Sequence, residues 1–152
     1  MATNERTIKA TPDAVWDVLA DGWLYPLWVV GASRMREVDD HWPAAGSMLH
    51  HSVGTWPLLI DDETEVEAVS PGVSLTLRAK ARPQGVARVT IRLAAVGAET
   101  RVVIEEDFVS GPARLVPRPL RDAGLKWRNS ETLRRLAYVA ERRAAREPER
   151  RA

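Results

Sequence analysis

The period of hydrophobic alternation changes once along this 152-residue chain, and that change limits what it can fold into. From Ser33 to Ser110 apolar residues recur at every second position, the repeat of a strand; beyond Pro119 they recur at i, i+3 and i+4, the repeat of a helix. The alternating part divides into candidate strands at residues 33–39, 47–56, 61–70, 73–82, 86–96 and 99–109. Turn residues separate them: Pro43 to Gly46, Pro57, Ser70 to Gly72, Pro83 to Gly85, and Gly97 with Ala98. Connections this short between successive strands predict an antiparallel meander. Val73, Leu75, Leu77, Ala79 and Ala81 share one face, and Ser74, Thr76, Arg78, Lys80 and Arg82 the other. Ala87, Val89, Ile91 and Leu93 likewise oppose Arg88, Thr90 and Arg92. One side of such a sheet is wet and the other must be covered.

The flanking segments supply the cover. Residues 3–9 read as a short, polar strand. Thr11, Pro12 and Asp13 start a helix with a hydroxyl cap, a proline in the first turn and an early acid. Ala14, Val15, Val18 and Leu19 form its apolar stripe, and Asp21 with Gly22 ends it. Residues 23–32, apolar and interrupted by Pro26, predict a second short helix or a packed irregular segment. Residues 120–146 hold no proline and a single glycine, Gly124. At 1.5 Å per residue they make a helix of about 40 Å. Leu125, Leu133, Leu136 and Ala140 fall on one of its faces. The expected architecture is α+β: a curved antiparallel sheet of about seven strands wrapped around a long C-terminal helix, with two short helices after the first strand. Residues 1–146 form one domain, and the charged tail 147–152 is expected to fray.

Composition excludes several chemistries. The chain has no cysteine, so it forms no disulfide, thiolate metal site or cysteine nucleophile. Gly-x-Gly, Gly-x-Ser-x-Gly and His-Glu-x-x-His spacings are all missing. No metal and no cofactor are therefore expected. Apolar runs such as Leu27–Val30 and Pro57–Ile60 are far too short for a membrane span. Met1 to Ala10 carries Glu5, Arg6 and Lys9 in place of an apolar leader, so a cytoplasmic location is expected.

Three polar residues fall on faces that should be apolar. Asn129 sits within the helical stripe, where its amide needs a ligand, a cavity water or a backbone partner. Glu106 is in step with Val102, Ile104 and Phe108. In a dry cavity it would be protonated or paired with a cation, and either state could serve general acid–base work, unless the strand flips at a bulge or ends near solvent. His51 is in step with Leu49 and Val53, while His50 points to the opposite face, so the two cannot hold one metal together. His41 follows two aspartates in a turn and is expected to be solvated. Trp16, Trp28 and Trp56 lie in or beside elements bordering the interior and are candidate ligand contacts. Leu77, Ile91, Ile104, Leu125, Leu133 and Leu136 are the aliphatic candidates. Formal charge is +1 overall but uneven: residues 1–109 carry net −6 and residues 110–152 net +7. Arg114, Arg118, Arg121, Lys126, Arg128, Arg134, Arg135, Arg142 and Arg143 crowd that last segment. It is either a solvated face or a docking surface for an anionic membrane. Without interleaved exposed aromatics, nucleic acid is not an expected partner.

The order of elements, with Thr11-Pro12-x-x-Val15-Trp16-x-x-Leu19 at the front, resembles the START-related, pollen-allergen-like helix-grip superfamily. Within it the chain is most similar to the bacterial polyketide cyclase/dehydrase and lipid-transport (SRPBCC) group. Gly54-Thr55-Trp56-Pro57, Thr100-Arg101-Val102 and Arg128-Asn129-x-x-x-Leu133-x-x-Leu136 carry the likeness, which spans residues 3–146. The resemblance implies an internal cavity between sheet and helix that accepts hydrophobic or aromatic molecules; it transfers no catalytic residue. Three functions are therefore carried forward. The first is a carrier or sensor of a lipid or polyketide-like molecule. The second is an aromatase/cyclase-type enzyme using Glu106 and His51. The third is an interaction module built on the basic segment.

Overall fold

The computed structural model describes the backbone of residues 1–151 and the side chains of residues 1–148. Strand β1 (Ala2–Ile8) leads into helix α1 (Pro12–Ala20), a 3-10 turn (Gly22–Leu24) and the short helix α2 (Tyr25–Trp28). The meander follows: β2 (Ala32–Val38), β3 (Met48–Thr55), β4 (Leu58–Ser70), β5 (Ser74–Ala81), β6 (Gly85–Val96) and β7 (Glu99–Ser110). A second 3-10 turn (Pro112–Leu115) precedes helix α3 (Arg118–Arg151). The strands form one antiparallel sheet in the order β1-β7-β6-β5-β4-β3-β2. This is the helix-grip architecture read from the sequence.

Local chemistry explains the element ends. Thr11 caps α1, its hydroxyl accepting from the Ala14 amide at 3.3 Å, with Pro12 in the first turn. Gly22 follows α1 because nothing larger fits: a Cβ there would come within 2.6 Å of Leu49 and 2.7 Å of Val38. Helix α3 exceeds its expected limits at both ends. It begins before Pro119, since a proline in the first turn forfeits no helical bond. It also continues through Pro148 to Arg151, over a stretch expected to fray; Glu and Arg are good helix formers, and Pro148 interrupts only the final turn. Ala152 lies outside the described residues.

The core sits between the concave face of the sheet and the C-terminal part of α3. Leu75, Ile91, Val102 and Ile104 from the sheet meet Leu133, Leu136, Ala137 and Ala140 from α3, with α1 adding Val15, Val18 and Leu19. Edge strand β1 is tied to α3 by Asn4, whose amide donates to the Lys126 carbonyl and the Ser130 hydroxyl, both at 2.9 Å. The β3–β4 hairpin, the β5–β6 hairpin and the exit of β7 lie at one end of the meander. The N-terminal part of α3 stands over the sheet at that end, and there the interior is not filled.

Candidate functional site

A cavity of about 470 Å³ separates the first turns of α3 from the sheet. Leu77, Val89, Ile91 and Ile104 form its floor, Leu125 and Asn129 its roof, Gly124 lies at its exposed edge, and Trp28 with Val29 forms one wall. Its rim includes Val116, Leu120 and Trp127, all exposed apolar side chains. A largely apolar chamber of this size, with few polar groups, has the character of a small-molecule site.

The three anomalous polar residues converge on it. Glu106 is 1% exposed, Asn129 3%, and His51 is buried; all line the cavity. No bulge removes Glu106 from the inner face, since β7 pairs with β6 in unbroken register from Ala87↔Phe108 through Val96↔Glu99. Its Oε1 forms an ion pair with Arg128 of α3, which the helical stripe did not reveal as an interior cation. That pair neutralises the charge at the cavity wall. Trp28 Nε1, His51 Nδ1, Glu106 Oε2 and Asn129 Nδ2 are shut off from solvent and have no protein partner among the described residues. An unpaired buried polar atom costs about 1–3 kcal/mol, so a ligand supplying partners would recover that loss.

His51 belongs to a hydrogen-bonded chain. Its Nε2 lies 2.9 Å from Thr64 Oγ1, which lies 3.2 Å from the Tyr25 hydroxyl. The Tyr25 ring sits edge-on to Trp28, with centroids 5.3 Å apart, and 5.2 Å from the His51 ring. Burial raises the Tyr25 pKa above its ordinary 10, and the Thr64 hydrogen bond only partly offsets this. Burial likewise holds His51 below its usual 6.5; Asp62 opposes this, while Arg36 and His50 add to it. The folded protein thus keeps the imidazole neutral where the unfolded chain would bind a proton. This part of the stability is complete above pH 6.5 and is lost as pH falls below it toward the lowered folded value. Urea unfolding at pH 7.5 and pH 5 should show that loss, and His51→Gln should flatten this part of the profile.

Several expected ligand contacts lie elsewhere. Trp16, a residue of α1, packs against the core, and Leu133 and Leu136 fill the tight part of the α3–sheet interface. None of the three lines the cavity. One face of a 34-residue helix can serve both a packed and an open region, and spacing alone does not show where one gives way to the other. Trp56 is 84% exposed at the tip of the β3–β4 hairpin, well away from the interior. Trp28, Leu77, Ile91, Ile104, Glu106, Leu125 and Asn129 do line the cavity. The sequence reading missed Tyr25 and Arg128 as interior groups. The apolar neighbours of Tyr25 gave a weak signal; for Arg128 the adjacency to Asn129 on the helix was the available clue.

A family model described as polyketide cyclase / dehydrase and lipid transport matches residues 2–141. The chain belongs to this family. No curated protein sequence matches it. Among solved structures it is similar to the ZhuI aromatase/cyclase from Streptomyces sp. R1128, with a TM-score of 0.72, 19% identity, and 93% of each chain covered. Protein NE0264 from Nitrosomonas europaea superposes with a TM-score of 0.71 at 18% identity, covering 94% of this chain and 95% of that one. Ara h 8.0201 does so with a TM-score of 0.68 at 12% identity, covering 91% and 96%. At such identities these likenesses establish the fold. Family and fold together support hydrophobic ligand binding or cyclase-like roles in general. No helix among the described residues is long and apolar enough to cross a membrane.

Proposed function

We propose that the protein binds a hydrophobic or aromatic small molecule between its sheet and α3, as a carrier or sensor. The observation that carries this reading is the 470 Å³ apolar cavity with unpaired polar atoms on its walls. The ligand should be neutral, because each cation lining the cavity is already matched: Arg128 by Glu106, Lys80 by Glu63 and Arg121 by Asp107. Trp28 and Asn129 would donate to a carbonyl or hydroxyl oxygen, and Glu106 Oε2 would accept from a hydroxyl. Native mass spectrometry of freshly purified protein, beside a denatured control, tests this. A dissociable lipid or aromatic mass is expected; an empty protein would favour turnover of a transient substrate.

The Tyr25–Thr64–His51 chain supports that second reading, an aromatase/cyclase-type enzyme. Neutral His51 would take a proton from carbon next to a carbonyl, and a buried donor would protonate the oxygen as the new carbon–carbon bond forms. Loss of water would then follow by the same exchange of protons. If this is the function, Tyr25→Phe abolishes turnover and leaves ligand binding nearly intact; in a pure carrier it changes neither.

A further inference from the structure

The cavity opens at the end of the molecule where large apolar side chains stand in solvent. Strand β4 outruns β5 there: Thr64 pairs with Ala79, and the Arg82 amide already reaches Asp62 Oδ2 at 2.9 Å. Residues 58–61 therefore project past β5 by about 13 Å at strand rise. The tip of this projection carries Trp56 and the equally exposed Leu58. Across the mouth, the 3-10 turn rests on the β5–β6 hairpin through a 2.9 Å bond from the Ala113 amide to the Gln84 carbonyl. That turn ends in Leu115, 87% exposed, and α3 adds Leu120 and Trp127, the latter 72% exposed between Lys126 and Arg128, so the basic segment does carry an exposed aromatic, against the sequence expectation.

Charge follows the same geography. Arg114, Arg118 and Lys126 lie among these side chains and pair with no carboxylate among the described residues. Arg134 and Arg135, farther along the basic helix, both clamp Glu131 at 2.7 and 2.8 Å. That double pairing holds Glu131 at about 2, well below the usual carboxylate value. Among the described residues, Arg114 of the 3-10 turn and Arg118 and Lys126 of the first turns of α3 are thus free of carboxylates, whereas Arg134 and Arg135 in the middle of α3 are not.

We propose that this end of the protein docks on a bilayer containing anionic lipid, with Trp56, Leu58 and Leu115 entering the interface and the cavity mouth facing it. The inference rests on the cavity being a ligand site. The apolar anchors stand on two separate projections with an open mouth between them. A fluid interface accepts such anchors singly, whereas a folded partner needs a continuous surface.

Flotation with phosphatidylcholine vesicles, with and without phosphatidylglycerol, tests the proposal. The wild type should float with the anionic vesicles, and less so as salt rises. Trp56→Asp with Leu115→Asp should weaken binding by about ten-fold or more, these side chains being anchors. Arg114→Glu with Arg118→Glu should cost roughly five-fold per residue and remove most of the salt dependence. All four positions are exposed, so uptake of the neutral dye Nile red should stay at the wild-type level. A wild type that floats with neither vesicle overturns the proposal, as does a tip variant that floats equally well. Dimers in solution that the tip substitutions abolish, without flotation, would replace the bilayer by a second copy. Loss of dye uptake with flotation intact would overturn the cavity reading and leave the docking face standing.

Discussion

Leu136→Ala lowers the unfolding free energy by about 3 kcal/mol, while the folded fraction binds Nile red as the wild type does. Leu136 is fully buried in the cluster that joins α3 to the sheet, among Leu133, Ala140 and the strand aliphatics. Truncation there removes apolar contact and leaves a void in a packed interface. It does not enlarge the ligand cavity, which Leu136 does not line. Urea unfolding and dye titration separate the two effects. Lost affinity with little lost stability would place Leu136 in the ligand site after all.

Arg128→Met has an effect of similar size for a different reason. Glu106 is sealed from solvent, and Arg128 is its ion-pair partner. Removing the cation leaves a buried carboxylate unmatched, at a cost of about 3 kcal/mol. That is the low end of the usual range, because the Arg128 side chain is itself about one-third exposed (34%). Adding Glu106→Gln to Arg128→Met should restore most of the loss, giving a large coupling in a double-mutant cycle. Equal stability of Arg128→Met and wild type would mean that the pair contributes nothing.

The sequence exposed the sheet most clearly where each strand has one wet face. The alternation in Leu75–Leu77 and Val89–Ile91–Leu93 set both strand identity and the inward side, and the register bears this out. The same logic placed Glu106 and His51 inside. Helix α3 was legible as an element but not as two functional regions, because Leu125 and Leu136 obey one periodicity while only Leu125 meets the cavity. Trp56 misled for a related reason. Hydrophobicity marks a residue as wanting an apolar neighbour, and an exposed hairpin tip meets that description as well as a pocket does. The Tyr25–Thr64–His51 chain joins three elements far apart in sequence, so no local spacing could announce it.

The most direct test of a ligand cavity fills it from a position that the fold does not need. Gly124 stands at the exposed edge of the cavity, and a Cβ there meets nothing within 4 Å. Gly124→Phe should keep or slightly raise stability, since glycine is a poor helix former, and should weaken Nile red binding about ten-fold or more. Wild-type affinity in a stably folded Gly124→Phe variant would contradict a binding site between the sheet and α3.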